Sequence, residues 1–370
     1  MPVRKKNNID FTLLITVLIL LALGVAMVFS ASSISSFMKY NDRFHYLKSQ
    51  GFFAIIGILA MLFMSRFDYK ILGKFAGTLV LASIVLLIAV FIPGIGYSAN
   101  NAARWIKIGS QTMQPSEFAK FALIIFMAKS ISNKKEKIRS FKHGVLPYII
   151  LMGIYFVLIL LEPNLSMAGN IVMITFAMLF ASGTKIIYLV GWVIPLLPAL
   201  VFIVLKKPYM LERVTSYMNP WADPLNTGYQ AIQSLYALGS GGIFGLGLGN
   251  SRQKFFYIPE PQNDFIFSII GEELGFIGTA TIVILFLLLI WRGLRIALFC
   301  PDTFGCLLAT GITCMIAIQV TLNIAVATVS IPTTGVSLPF ISSGGSSLLF
   351  VMMNIGILLN ISKTVKTGGS

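Results

Sequence analysis

The segment Tyr257-Ile258-Pro259-Glu260-Pro261-Gln262-Asn263-Asp264-Phe265 ends in a carboxylate just ahead of a long apolar run, 266–290. Two jobs fit Asp264 there. It can cap the coming helix by accepting a free amide hydrogen, or, held at a membrane surface beneath an ordered loop, it can take a proton as a general base. Glu272 and Glu273 lie deeper in the same run. Adjacent helical residues cannot face one way, so at least one of them is expected to pair with another helix. Upstream, Gln114-Pro115-Ser116-Glu117-Phe118-Ala119-Lys120 opens a second run with an acid and a base three residues apart, on one helical face. A buried pair that orders a helix bundle and a pair lining an outward polar cavity are both open to Glu117 and Lys120.

Other polar residues surround these. Arg104, next to Trp105, is either part of a solvated loop with an aromatic anchor or a planar fork for phosphate. Glu162-Pro163-Asn164-Leu165-Ser166 breaks two apolar runs as a tight turn, with Glu162 a candidate for a cavity rim. Residues 332–345 read PTTGVSLPFISSGG, and small residues there, Ser342 among them, allow close helix approach or put backbone donors on a polar cavity. Gln233 belongs to a longer connection, 206–263, that also carries Arg213, Trp221 and Asp223.

The elements that must hold these groups follow from composition. Hydrophobic residues make up 56% of the 370 and charged residues 11%, against about 25% charged in an average soluble chain. A soluble core could not hide so much apolar surface, so the bilayer is the main solvent and the chain an all-α polytopic membrane protein. About ten spans are readable, at roughly 11–30, 47–65, 75–93, 114–131, 143–161, 165–182, 186–205, 264–290, 305–329 and 342–361. The 28 basic residues and net charge of +15 suggest nucleic acid at first sight. They cluster instead in short connections, as in Asn133-Lys134-Lys135-Glu136-Lys137, where lysines meet anionic lipid. The positive-inside rule then puts both ends in the cytoplasm, with Arg4, Lys5, Lys6, Arg66, Arg292 and Lys366 on that side. The connection 206–263 falls outside, between helices 7 and 8, and its glycines and aromatics favour an ordered, functional loop. The whole of 1–370 reads as a single integral membrane domain.

Three cysteines, Cys300, Cys306 and Cys314, lack metal-ligand spacing and read as apolar packing. There is no Walker loop, His cluster or G-x-S-x-G elbow, which argues against ATP-driven transport and metallohydrolysis.

Three motifs in order, QPSEFAK at 114–120, NDFIFSIIGEELGFIG at 263–278 and GVSLPFISSGGSS at 335–347, resemble the SEDS family of RodA, FtsW and SpoVE proteins. The likeness covers nearly the whole chain, and its last motif is closer to FtsW and SpoVE. It implies a peptidoglycan glycosyltransferase of the bacterial cytoplasmic membrane that polymerises lipid II on the outer face. Asp264 matches the family's outer-loop aspartate, Glu117 and Lys120 its buried ion pair, and Arg104 a basic position near the cavity. Two departures stand out: Asn164 replaces an aspartate of the family's QPDLG, and Ser343 a tyrosine of its SYGGS. Arg104 and Lys48 are the cations expected to offset a departing pyrophosphate, with Gln233, Glu272 and Ser342 as further cavity residues. No tightly bound cofactor is expected. A divalent cation, magnesium or manganese, would travel with the substrate phosphates. The resemblance also implies a class B penicillin-binding protein as partner, since the outer connection 206–263 has no transpeptidase set of S-x-x-K together with K-T-G. A lipid II flippase and a non-catalytic scaffold are the rival functions.

Overall fold

Each of the expected spans becomes a helix in the structure, a computed structural model that describes residues 9–365 apart from 100, 101, 110 and 256. Asn100 and Asn101, and the basic Arg4, Lys5, Lys6 and Lys366, lie outside the described residues. The order is α1 (Phe11–Tyr40), α2 (His45–Arg66), a short α3 (Tyr69–Lys74), α4 (Ala76–Ala89), α5 (Pro115–Lys134), α6 (Leu146–Leu161), α7 (Leu165–Ala181) and α8 (Ile186–Lys206). After the outer connection come α11 (Ile266–Phe299), α12 (Thr303–Ala327) and α13 (Gly345–Ser362). Among the described residues six helices are long and apolar enough to cross a membrane by length and composition alone: α1, α2, α6 with the π-helical turn before it, α11, α12 and α13. Exposed Phe52, Ile55, Leu59 and Phe63 on α2, and Ile284, Leu287 and Trp291 on α11, would be costly in water and belong against lipid. The chain is a polytopic helical membrane protein.

Local chemistry sets several boundaries. Asp10 accepts the Leu13 amide at 3.0 Å, Asp302 the Gly305 amide at 2.9 Å and Asn164 the Met167 amide at 3.2 Å, each satisfying an orphan donor of a first turn. Asp264 does no such work. The N-cap of α11 is Phe265, and no side chain caps that end. Asn164 thus keeps the capping role that an aspartate would have had.

The start of α1 meets the ends of α11 and α13. The Asp10 carboxylate pairs with Arg292 of α11 at 2.6 Å, and the Asp10 amide donates to Ser362 of α13 at 3.1 Å. Lys363 and Asn360 bind the Ser65 carbonyl nearby. This is the basic end of the bundle.

At the other end the connections are folded. A small antiparallel sheet, β1 (Gly96–Ala99), β2 (Ala102–Ile108) and β3 (Gln111–Met113), precedes α5; the sequence reading had only a loop here. The connection 206–263 contains α9 (Pro208–Met218) and α10 (Tyr229–Ser240). Its glycine run is stapled into α11 by backbone bonds: Leu246 and Gly247 amides donate to the Glu272 and Glu273 carbonyls at 2.9 and 3.0 Å, and the Phe276 amide to Gly242 at 2.9 Å. Gly275 breaks α11 there with φ 65°, and a Cβ on it would meet the Gly245 nitrogen at 2.3 Å. Only glycine serves.

Candidate active site

Asp264 is held through its backbone. Asn323 of α12 donates from Nδ2 to the Asp264 carbonyl at 3.0 Å and to the Val336 carbonyl at 2.9 Å, joining α12, the mouth of α11 and the 331–344 connection. Ser342 donates to the Asn263 carbonyl at 2.7 Å while accepting the Leu338 amide at 2.8 Å. The Ser343 amide donates to the Gln262 carbonyl at 2.9 Å. Gln50 of α2 fixes the same turn, donating to the Ser342 carbonyl at 3.3 Å and accepting the Gly344 amide at 3.4 Å. Ser342 is therefore a clamp on the strand of backbone that carries Asp264.

The carboxylate itself is half-buried, and no described residue hydrogen-bonds it. Gly335 passes beside it so closely that a Cβ there would lie 3.7 Å from Oδ2. Burial pushes the Asp264 pKa up to about 6; Arg213 and Arg104 pull it down, and Glu260 adds to the rise. A carboxylate so placed is ionised at neutral pH yet a better base than an ordinary aspartate.

Both arginines are aimed by specific structure. Along β2 the pairing with β1 skips from Trp105 opposite Tyr97 to Ala103 opposite Ser98, leaving Arg104 as the extra residue of a bulge. Bulges redirect side chains in this way. Arg104 reaches the α6–α7 turn, donating from Nε to the Glu162 carbonyl at 3.1 Å and from its other end to the Pro163 carbonyl. Arg213, on α9, donates to the Thr333 carbonyl at 3.0 Å and so bridges the outer connection to the 331–344 segment. Ser166 at the start of α7 accepts the Gly335 amide at 3.4 Å.

The remaining candidates divide. Glu117 and Lys120 pair at 3.0 Å with both side chains buried in α5. On neighbouring helices Asn170 of α7 and Gln319 of α12 are buried with amide atoms that meet no partner, as is the Ser116 hydroxyl. Glu272 is not at the Asp264 carboxylate. Its carboxylate accepts the Arg252 amide at 2.8 Å, the Gln253 amide at 3.3 Å and the Ser251 hydroxyl at 2.5 Å, clasping the outer connection to α11. Glu273 pairs with buried Lys254 at 3.0 Å and accepts Ser30 of α1. Lys48 is mostly exposed and pairs with Asp42 at 2.7 Å in the turn between α1 and α2. Gln233 is half-buried on α10, and no hydrogen bond joins it to Asp264 among the described residues. Arg213, Asn323 and Gly335 escaped the sequence reading as site residues. Among these, an arginine on a short amphipathic helix in the outer connection was the one available signal.

A clamped, polarised carboxylate with two guanidinium groups acting on it can deprotonate a hydroxyl beside an anionic leaving group. Residues 11–367 match the family described as cell cycle protein, grouping FtsW, RodA and SpoVE. The chain is 47% identical to stage V sporulation protein E of Bacillus subtilis, over 97% of this chain and 98% of that one. It is 45% identical to a probable peptidoglycan glycosyltransferase FtsW of Geobacter metallireducens, over 96% of this chain and 95% of that one. Among solved structures it resembles a chain of a peptidoglycan synthase complex that coordinates polymerization and crosslinking, with TM-score 0.79 and 28% identity over 97% and 99% of the two chains. It also resembles the rod shape determining protein RodA of Thermus thermophilus, with TM-score 0.70 and 25% identity over 97% and 98%.

Proposed function

The chain belongs to the cell cycle protein family of FtsW, RodA and SpoVE, and we propose that it polymerises lipid II on the outer face of the cytoplasmic membrane with Asp264 as general base. It is a peptidoglycan glycosyltransferase. The observation that carries the mechanism is a carboxylate whose backbone is bound on both sides while its oxygens stay available.

Asp264 takes the proton of the acceptor sugar's 4-hydroxyl. The oxygen attacks the anomeric carbon of the lipid-linked donor from the face opposite the pyrophosphate, and that carbon inverts. The bond from the anomeric carbon to the phosphate oxygen breaks, and its electron pair leaves with the pyrophosphate. Arg104 and Arg213 supply the positive field for that charge. Arg213 takes the place first given to Lys48, whose charge is spent on Asp42. Among the described residues no three His, Cys, Asp or Glu side chains converge as a metal site. A magnesium or manganese ion would come on the substrate phosphates, and no step here runs through it. Gln233, half-buried on α10, is a contact for the sugar chain in this reading. The orientation has both termini in the cytoplasm.

The resemblance to a chain of a synthase complex supports a penicillin-binding protein as partner, a class B transpeptidase in this proposal. Exposed Ile243, Phe244 and Leu248 beside α11 give it an apolar surface.

Labelled lipid II given to the purified protein with its partner tests the reading. Glycan ladders support it. Translocation without joining means a flippase, and neither activity means a scaffold.

A further inference from the structure

Glu162 has no part in the steps above, yet among the described residues its buried carboxyl stands without a hydrogen-bond partner. It closes the C-terminal end of α6, wholly buried, and neither of its carboxyl oxygens meets a hydrogen-bond partner. Leaving a buried polar group so costs stability, and a charged one costs more. Its neighbours are spent elsewhere: Asn164 on the Met167 amide and Ser166 on the Gly335 amide. Arg104 reaches the peptide carbonyls of Glu162 and Pro163 rather than the carboxyl.

The packed elements bring few charges. α4, α6 and α7 carry none. At this end α5 brings Glu117 and Lys120, which neutralise each other, while its Lys129 and Lys134 lie toward the other end of the helix. β2 brings Arg104 and an exposed Lys107. Asp264, Arg213 and Glu260 stand across the site, linked to this turn through Ser166 and Gly335.

We propose that Glu162 is a substrate-binding residue, a neutral carboxylic acid that donates its hydrogen to the phosphate held by Arg104. The inference rests on the polymerase reading. An ionised carboxylate would repel a phosphate at that position, whereas the acid form donates to it, and hydrogen bonds to charged acceptors are among the strong ones. Burial supports the acid form, pushing the Glu162 pKa up to about 8 against the opposing pull of Arg104. Substrate binding then weakens as pH rises through about 8. Glutamine supplies an N–H donor of nearly the same shape that does not titrate.

The test is the initial rate of lipid II polymerisation by the full chain with its partner, between pH 6 and about 9.5, for the parent, Glu162→Gln and Glu162→Ala. The expected parent profile has an alkaline limb near 8, carried by KM. Glu162→Gln should lose that limb, its KM becoming independent of pH across the range. Glu162→Ala should raise KM by roughly tenfold or more at every pH, with kcat less affected. A parent without the limb, or a Glu162→Gln profile that retains it, overturns the proposal and leaves the polymerase reading intact. A well-folded Glu162→Gln protein that is inactive at all pH values also overturns it, because a charged carboxylate would then be required. A parent that makes no glycan overturns the polymerase reading itself.

Discussion

Asp264 and the Glu272–Glu273 pair belong to one stretch of chain and are bound in opposite ways. Glu272 and Glu273 use their oxygens on the amides of 251–253, on Ser30 and on Lys254. At Asp264 the hydrogen bonds end on main-chain carbonyls, its own and its neighbours', and the carboxylate is left for something else. A carboxylate that builds structure has its acceptors consumed. One that does chemistry is fixed by its backbone and keeps them. At Asp264 burial raises the proton affinity of the carboxylate left open in this way.

Substitution at Asp264 should break this comparison most visibly. Asp264→Asn should lower polymerisation by about 10²–10⁴ while the protein stays folded. Because the folded pKa is raised, the native state holds the proton more tightly than the unfolded chain, so the ionised carboxylate costs stability above about pH 6. The asparagine protein should therefore melt no lower than the parent at neutral pH. Parent-rate polymerisation by that variant would sink the mechanism.

Glu273→Ala probes the other member. It leaves buried Lys254 without its partner, at a cost of about 3–5 kcal/mol. Thermal melting should drop sharply, and activity should follow the folded fraction. An unchanged melting curve with lost activity would reverse the two roles. Glu117→Ala strands Lys120 in the same way and should lower both folded yield and rate.

The pH profile sharpens the contrast further. Asp264 works ionised, so kcat/KM should fall as pH drops below about 6, approaching tenfold per unit, and Asp264→Glu should shift that limb. Gly335→Ala is the mildest change. Its Cβ would stand at ordinary contact distance from Oδ2, so stability should hold while KM rises a few-fold. A large melting shift would mean that the glycine serves the fold instead.

The helices were legible because lipid demands long apolar runs, and 11–30 or 305–329 offer nothing else. The small sheet was not. Ala102-Ala103-Arg104-Trp105-Ile106-Lys107 lacks the alternation of a half-buried strand, and the bulge at Arg104 further spoils its period. Glu117 and Lys120 could be paired by spacing because their contact is local. Glu272 could not be matched with Ser251 or the amide of Arg252, nor Asp264 with Asn323, since such partners are chosen by the tertiary fold. Lys48 looked available as a cation until the turn placed Asp42 beside it. The capping role for Asp264 failed by one residue, because the helix starts after Phe265.

Two rungs tie α1 to α11, Asp10 with Arg292 and Ser30 with Glu273. Along α1 they are separated by about 30 Å at 1.5 Å per residue, which is the thickness of the hydrocarbon layer. The rungs therefore work as depth gauges. In the proposed orientation the lower one would fall at the inner boundary of the oil and the upper one at the outer boundary, with Asp264 roughly two turns above the latter. That would be headgroup depth, where the phosphates of any lipid already reside. A lipid-linked sugar would meet the carboxylate without lifting its tail from the bilayer, and the growing strand would emerge on the wet side from the start.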